Sequence, residues 1–420
     1  MSEKELNRNV KIYPWYRAFS YDFVFLFTIS ILYLTEVKGF SYSQSLLLDA
    51  IFMLTCFALQ IPISKVIRKL GRTTCAQLAS LCSILFVLIY LLAGNFWWFL
   101  FANTLYGLGT AVRNIADIEI LSLSLKKLNR KKDFAKIEGR GLFGHYVFEG
   151  ISAVASGYLY EFVSPYSPII FTGICSIVLL VLSFILKDPI DEIDAEQELK
   201  IEERKNANSP SYKTLLRRPF VFWLVIFAFS FFGIINIHSL MAKVYYQSIN
   251  TPAYLFGYIF CGFKLLTAIA SKYSFKYELK QGVKTLIIFS GIALLSYFIC
   301  GICYLISPAA ILSVIAISIM IALQHIGKSV YRITIRDYIT SGVSKNALTK
   351  TLNLYSMAES LGYAAVTSFA SLIMKISENY GTTNLALVGI IALPLIFSAV
   401  MFIRSLIKVY TARCTIIRKD

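Results

Sequence analysis

Long apolar runs separated by short polar clusters organise the whole chain. The run "ILSVIAISIMIAL" (311–323) carries no charge, and stretches like it recur from end to end. A membrane-crossing helix needs about 20 mostly apolar residues. Segments of that kind centre near residues 26, 55, 84, 110, 151, 176, 230, 264, 295, 322, 362 and 395, which predicts twelve spans. The first follows "MSEKELNRNVK", read as a polar tail with no small-residue cleavage site, so it is expected to be a retained span. One long hydrophilic stretch, "KDPIDEIDAEQELKIEERKNANSPSYK" (187–213), interrupts the pattern. It predicts a first bundle over 1–187, a linker over 188–216 and a second bundle over 217–420. The linker is expected to be partly helical at "DAEQELKIEERK".

The two halves echo each other. "ISK" (63–65) closes the second run and "ASK" (270–272) the eighth, and "FEGISAVASGYL" (148–159) lies over "AESLGYAAVTSF" (358–369). The second pairing superposes Glu149 on Glu359, and its offset nearly equals the first. The expected fold class is therefore an all-α membrane protein of twelve transmembrane helices, arranged as two pseudo-symmetric six-helix bundles.

Composition agrees: 57% of residues are hydrophobic, 15% are charged and the mean hydropathy is +0.65, whereas soluble domains carry about 25% charged residues. The net charge is +17. Of the 41 Lys and Arg, 34 fall in the tails, the linker, or the loops after even-numbered runs and their flanking helix ends. "KVIRKLGR" (65–72), "KKLNRKKDFAKIEGR" (126–140) and "KYELKQGVK" (276–284) are examples. The opposite loops hold only Lys38, Lys243 and Lys375. This asymmetry places both termini and the linker in the cytoplasm and the protein in the cytoplasmic membrane. It also removes the main reason to expect nucleic acid as a partner. Membrane lipid is the expected surroundings.

Several patterns of soluble chemistry fail on inspection. "GKS" (Gly327–Ser329) is the tail of a phosphate loop, but the glycine required five residues earlier is Ala322 and the context is helical. Cys300 and Cys303 form a C-x-x-C inside "YFICGICYLI", where small apolar packing residues are the simpler reading. No nucleophile, metal cluster or cofactor motif emerges, so neither an enzyme nor a bound cofactor is expected.

Charges inside the apolar runs carry the functional signal, because each costs about 2.5–3.5 kcal/mol at the bilayer centre unless paired or hydrated. His325, Lys328, Arg332 and Arg336 follow one another at steps of three, four and four, one face of a helix. They read as a wet face running from a central site to the cytoplasm, with Arg336 at the surface and Arg332 within snorkelling reach of it. Lys264, in "CGFKLLTAIA", sits mid-run and needs a partner or water; a static pair with Glu359 is the structural alternative. The first half supplies acids: Asp22, Asp49, Asp117, Glu119 and Glu149. Arg113 stands one turn from Asp117, the spacing of an intrahelical pair. Asp49 and Glu119 are placed near span ends, meeting solvent. Glu149, with His145 one turn before it, is the first choice for a proton-coupling group, and Glu359 is its counterpart. The acids of one half and the bases of the other are expected to attract across a central cavity. His238 reads as a satisfied polar residue, and Trp15, Trp97 and Trp98 as interfacial aromatics.

Local motifs then point to a family. "SKVIRKLGRT" (64–73) resembles the pattern G-x-x-x-D-R-x-G-R-[RK]: Gly71 and Arg72 match, Lys69 supplies a basic residue, and Ser64 and Arg68 replace the first glycine and the acid. "LYGLGTA" (105–111) resembles R-x-x-x-G-x-G-x-A, with Asn103 in place of the arginine. "GISAVASGYL" keeps small residues at Gly150 and Gly157 without the glycine-proline pair of many proton-coupled drug exporters. With the six-plus-six plan, these motifs resemble the major facilitator superfamily of secondary transporters, and "KKDFAKIEGR" (131–140) resembles its drug-efflux-like branch. The resemblance implies alternating access, a small-molecule substrate, protons or another coupling ion, and a monomeric unit. Ser64, Arg68, Lys69, Gly71 and Arg72 would form its conformational loop.

The expectation is a proton-coupled secondary transporter of a small organic molecule, with efflux favoured. One alternative is uptake or exchange of an anionic metabolite, drawn by Lys264, Lys328 and Arg332. Another is a non-transporting membrane receptor or assembly partner on a transporter scaffold.

Overall fold

The computed structural model describes residues 2–20, 24–189, 210–306, 309–343, 345–380, 404–405 and 407–408. Every element among the described residues is helical: α1 (Glu3–Ser20), α2 (Leu26–Leu32), α3 (Tyr42–Leu59), α4 (Pro62–Leu70), α5 (Arg72–Leu92), α6 (Phe96–Lys127), α7 (Phe134–Tyr158), α8 (Ser167–Ile185), α9 (Tyr212–Leu216), α10 (Pro219–Ser248), α11 (Ala253–Ile306), α12 (Ile311–Gly342) and α13 (Lys345–Tyr380). Short π-helical turns, Tyr33–Val37 and Leu159–Val163, extend α2 and α7. Five described stretches are long and apolar enough to cross a membrane: Tyr42–Leu59, Arg72–Leu92, Ser167–Ile185, Ala253–Ala270 and Lys350–Asn379. The run near residue 395 lies outside the described residues, as does most of the linker.

The amino-terminal stretch is a helix rather than a polar tail. Ser2 and Glu5 form a capping box: the Ser2 backbone N–H donates to Glu5 Oε2 (2.9 Å) and the Glu5 N–H to Ser2 Oγ (3.4 Å). Those bonds hold the exposed Glu5 carboxyl below its ordinary pKa. Leu6, Val10 and Tyr13 then recur at helical spacing and are buried. Hydropathy missed this helix because its outer face is charged.

The chain separates into two compact units, neither of them contiguous. Unit 1 takes Met1–Lys38, Leu54–Arg204 and Pro252–Cys261; unit 2 takes Gly39–Met53, Lys205–Thr251 and Gly262–Asp420. Two helices, α3 and α11, therefore begin in one unit and continue in the other.

In unit 1, α5 and α6 pack closely through small residues. A methyl on Gly109 would stand 3.1 Å from the Ala79 carbonyl. Around that contact Ile63, Ile67, Cys75, Val112 and Ala116 form one buried cluster, and Val10, Tyr13, Leu121, Leu125 and Ile137 another. The start of α11 crosses α7 through A-x-x-x-G on both helices. Gly157 lies against the backbone of Ala253 and Tyr254, and Gly257 against that of Ala153 and Val154. Any side chain at either glycine would collide with backbone. At the same crossing Glu161 Oε2 accepts from the Ala253 N–H (3.0 Å), capping the start of α11. The Tyr158 and Tyr258 hydroxyls meet at 3.1 Å.

Lys38 fastens the end of α5. Its ammonium donates to the Leu91 and Ala93 carbonyls (3.3 and 2.8 Å) beside the rings of Tyr33, Phe99 and Tyr166. Burial there draws its pKa below the usual lysine value.

In unit 2, α10 and α13 pack around Phe220, Leu224, Phe227, Tyr355 and Ala358. Gly362 permits its helix to approach the Phe229 backbone. The beginning of α3 is held by α13: the Ser43 N–H donates to Glu378 Oε1 (3.1 Å), Ser371 Oγ to the Ser43 carbonyl (2.8 Å), and the Tyr363 hydroxyl to Asp49 Oδ2 (3.0 Å). Asp49 therefore has a helix-borne partner rather than meeting solvent alone. Lys243, read from sequence as a loop cation, is buried within α10. Lys375 likewise lies within α13.

Candidate functional site

α1 is described as far as Ser20 and α2 from Leu26. Side chains of α7 and α8 bond backbone groups in or next to these stretches. His145 Nδ1 bonds the Ala18 carbonyl (3.0 Å), Ser152 Oγ donates to the Val24 carbonyl (3.0 Å) and Ser156 Oγ to the Phe25 carbonyl (2.7 Å). Thr172 Oγ1 accepts from the Leu26 N–H (3.1 Å).

His145 and Glu149 sit one turn apart on α7, 0% and 2% exposed. Their facing atoms, Nε2 and Oε2, are 3.5 Å apart. A carbonyl only accepts, so the Ala18 contact requires hydrogen on His145 Nδ1. Nε2 is then the nitrogen that gains or loses a proton, and it faces the carboxylate. The pair can hold its proton as imidazolium with carboxylate, or as imidazole with carboxylic acid.

A second buried network lies on α1 and α6. Asp117 accepts from Tyr16 Oη (2.8 Å), Ser20 Oγ (2.9 Å) and Arg17 Nη1 (3.4 Å). Arg17 Nε reaches Glu138 Oε1 (3.2 Å), and the Tyr13 hydroxyl donates to Glu138 Oε2 (2.5 Å). The expected Arg113–Asp117 pair thus gives way to Arg17–Asp117. The tertiary fold offers Asp117 three donors from α1, while Arg113 Nη1 donates to Ser83 Oγ (2.7 Å) and its guanidinium lies beside the Tyr106 ring.

Arg113 also lines a cavity with room for about one water, together with Ser20, Val24, Ser83, Thr172 and Ser176. Ser83, Thr172 and Ser176 donate to backbone carbonyls, while Ser83 Oγ accepts from Arg113 and Thr172 Oγ1 from the Leu26 N–H. Ser20 joins this cavity to Asp117.

Residues 64–72, expected to act as a conformational loop, run from α4 into the start of α5. Gly71 has φ +89°, a conformation suited to glycine. Arg72, 2% exposed, pairs with Glu119 (2.8 Å) and with Asp188 (3.9 Å), and its backbone N–H donates to Asp188 Oδ2. Glu119 is therefore an ion-pair partner rather than a solvent-facing acid. Ser64 Oγ returns to the Ile61 carbonyl and Lys69 is exposed.

In unit 2, His325 stacks on Phe263 (5.3 Å, 16°) with Nδ1 3.4 Å from Thr267 Oγ1, and Gln324 Nε2 donates to Ser296 Oγ. Lys264 lies one turn before Thr267, and both it and Glu359 are half-buried. Asp22 and the side chains of Arg68, His238, Lys328, Arg332 and Arg336 lie outside the described residues. Among the described residues, no three His, Cys, Asp or Glu side chains converge as a metal ion would require.

Sequence reasoning missed Arg17, Tyr16 and Glu138, which sit in polar or flanking stretches. It also missed Ser152 and Ser156, although with His145 and Glu149 they fall at steps of four, three and four, one face of α7.

The family profile of the Major Facilitator Superfamily matches residues 18–367. No curated protein matches the chain. Solved structures resemble its fold at low identity. The nucleoside transporter NupG has a TM-score of 0.70 at 10% identity, covering 94% of this chain and 100% of that one. A D-xylose-proton symporter gives 0.70 at 11%, covering 94% and 97%. An inward-facing bacterial homologue of the iron transporter ferroportin gives 0.66 at 15%, covering 97% and 100%. The all-helical membrane fold expected from the apolar runs is the fold of these transporters, and a transporter rather than an enzyme is what the family match identifies. The chain is a multi-pass membrane protein and belongs to the major facilitator superfamily.

Proposed function

We propose that the chain is a secondary active transporter that moves a small organic molecule by alternating access, coupled to protons through His145 and Glu149. The observation that carries this reading is the buried pair on α7, tied through His145 Nδ1 to the Ala18 carbonyl of α1. A proton-holding pair bonded to a neighbouring helix joins proton exchange to helix packing. That a fold neighbour is a proton symporter supports it. The charge asymmetry supports the cytoplasmic membrane, with both termini inside and bundles 1–187 and 217–420 joined by 188–216. Efflux is the favoured direction, from the resemblance over residues 131–140; Glu138 in that stretch ties α7 to Tyr13 and Arg17.

One observation favours an acidic substrate as the second reading. Arg113 lines a cavity, where it donates to the Ser83 hydroxyl beside the Tyr106 ring.

Purified protein in detergent would be heated with a nucleoside, a pentose, a dipeptide, a dicarboxylate and a lipophilic cation, then reconstituted in liposomes with whichever stabilises it. Ligand bound to the folded state raises the melting temperature. A stabilising compound is expected to cross the membrane only in protein-loaded liposomes. Binding without flux would contradict transport and leave a receptor. Stabilisation by the dicarboxylate alone, lost in Arg113→Gln, would select the acidic substrate.

A further inference from the structure

α1 carries two opposed faces. Leu6, Val10, Tyr13 and Arg17 are buried, and Tyr13 and Arg17 bond Glu138 there. On the other side Lys4, Arg8, Lys11 and Trp15 follow at steps of four, three and four, one face of a helix, and all four are exposed. Trp15 has 70% of its surface free. No acid interrupts this stripe. Glu5, one turn before Arg8, turns back onto Ser2, and Glu3 lies to one side, its carbonyl accepting from Asn7. Asn7 also joins the stripe to the turn between α6 and α7, accepting from Arg130 Nη1 (3.4 Å). That turn exposes Arg130, Lys131 and Lys132, with Arg130 paired to Asp133 (2.8 Å).

Residues in this order fit a partner that is anionic at one depth and apolar at the next. A tryptophan ring settles where a bilayer passes from headgroups to acyl chains. Lys11, Arg8 and Lys4 stand one, two and three turns from Trp15, and their long stems let the charged ends reach back to a layer of phosphates. We propose that the outer face of α1 binds anionic phospholipid of the surrounding membrane. Lys4, Arg8 and Lys11 hold the phosphate-bearing headgroups, Trp15 lies against the upper acyl region, and the α6–α7 turn widens the basic surface.

The occupant is a lipid rather than a soluble polyanion because the cations end on an exposed ring that water does not favour and a bilayer covers. A basic residue close to an anionic membrane surface favours association by roughly fivefold, and the attraction is screened by salt. Lipid bound on this face fastens α1 from outside, while Glu138 and Asp117 fasten it from within. The inference is independent of the roles given to His145 and Glu149, and it needs no knowledge of the substrate.

The test uses the full chain with Trp97, Trp98 and Trp223 replaced by Phe, so that Trp15 is its one fluorescent tryptophan. This parent is reconstituted in phosphatidylcholine bilayers containing increasing fractions of brominated phosphatidylglycerol or brominated phosphatidylcholine. Half-maximal quenching of Trp15 is expected at a mole fraction at least roughly fivefold lower for phosphatidylglycerol, with the difference shrinking at high salt. Lys4→Gln, Arg8→Gln and Lys11→Gln together are expected to abolish the preference while melting like the parent. Lys4→Arg with Lys11→Arg keeps the charge and is expected to keep the preference. Equal quenching by the two lipids in the parent would overturn the proposal, as would a preference that survives the glutamine triple. Loss of the preference to soluble polyphosphate stoichiometric with the protein would overturn it in favour of a soluble polyanion. Native mass spectrometry makes the same comparison without the Phe replacements: the wild type is expected to retain more phosphatidylglycerol than the glutamine triple, and equal retention would overturn the proposal.

Discussion

Asp117 has no exposed surface and accepts from Tyr16, Arg17 and Ser20. Removing one partner of a buried ion pair strands the other, which costs about 3–5 kcal/mol. Asp117→Ala is therefore expected to melt well below the wild type in detergent, and Arg17→Ala nearly as far. The double variant should lose less than the sum, because the Arg17–Asp117 pair is then removed whole and only Glu138 is left short of a donor; additive losses would mean that the two residues act apart. This pair also shows what a single sequence conceals. Glu149 and His145 stand out because a charge in an apolar run is conspicuous. Arg17 and Glu138 do not, because cations and acids are ordinary beside a membrane. Spacing alone assigned Asp117 to Arg113, and only the approach of α1 supplies the donors that win.

At the scale of elements, the pattern of apolar runs was legible, but the bonds that α7 and α8 make to the first run were not. They come from Ser152, Ser156 and Thr172, hydroxyls distant from it in sequence. α1 was legible in principle, from its S-x-x-E box and its buried stripe, yet low hydropathy disguised it. The crossing of α7 with the start of α11 is spelled out twice as A-x-x-x-G, although nothing in either copy names its partner. Valine at Gly157 would collide with the Ala253 backbone, so Gly157→Val is expected to part these helices. Cysteines at 158 and 258, in a background free of other cysteines, should be joined by a short bifunctional thiol reagent. The valine should abolish that product. Undiminished cross-linking would show that the crossing tolerates a side chain and that the glycines are incidental.

At the scale of the whole molecule, fold and family were legible because membrane insertion writes both into composition. Apolar runs set the spans, and basic clusters favour one side. The substrate was not legible. Recognition depends on a few polar groups whose convergence is tertiary, such as Arg113, Ser83 and Thr172 around one small cavity. Proton exchange at His145 and Glu149 is the proposed drive for transport. It is tested most directly in liposomes that hold the purified protein and equal concentrations of a bound, transportable compound on both sides. A pH gradient is then imposed alone. The compound is expected to accumulate on one side against its own gradient, and Glu149→Gln to equilibrate it without accumulation. Accumulation of equal extent in Glu149→Gln, or none in the wild type while passive exchange proceeds, would contradict it.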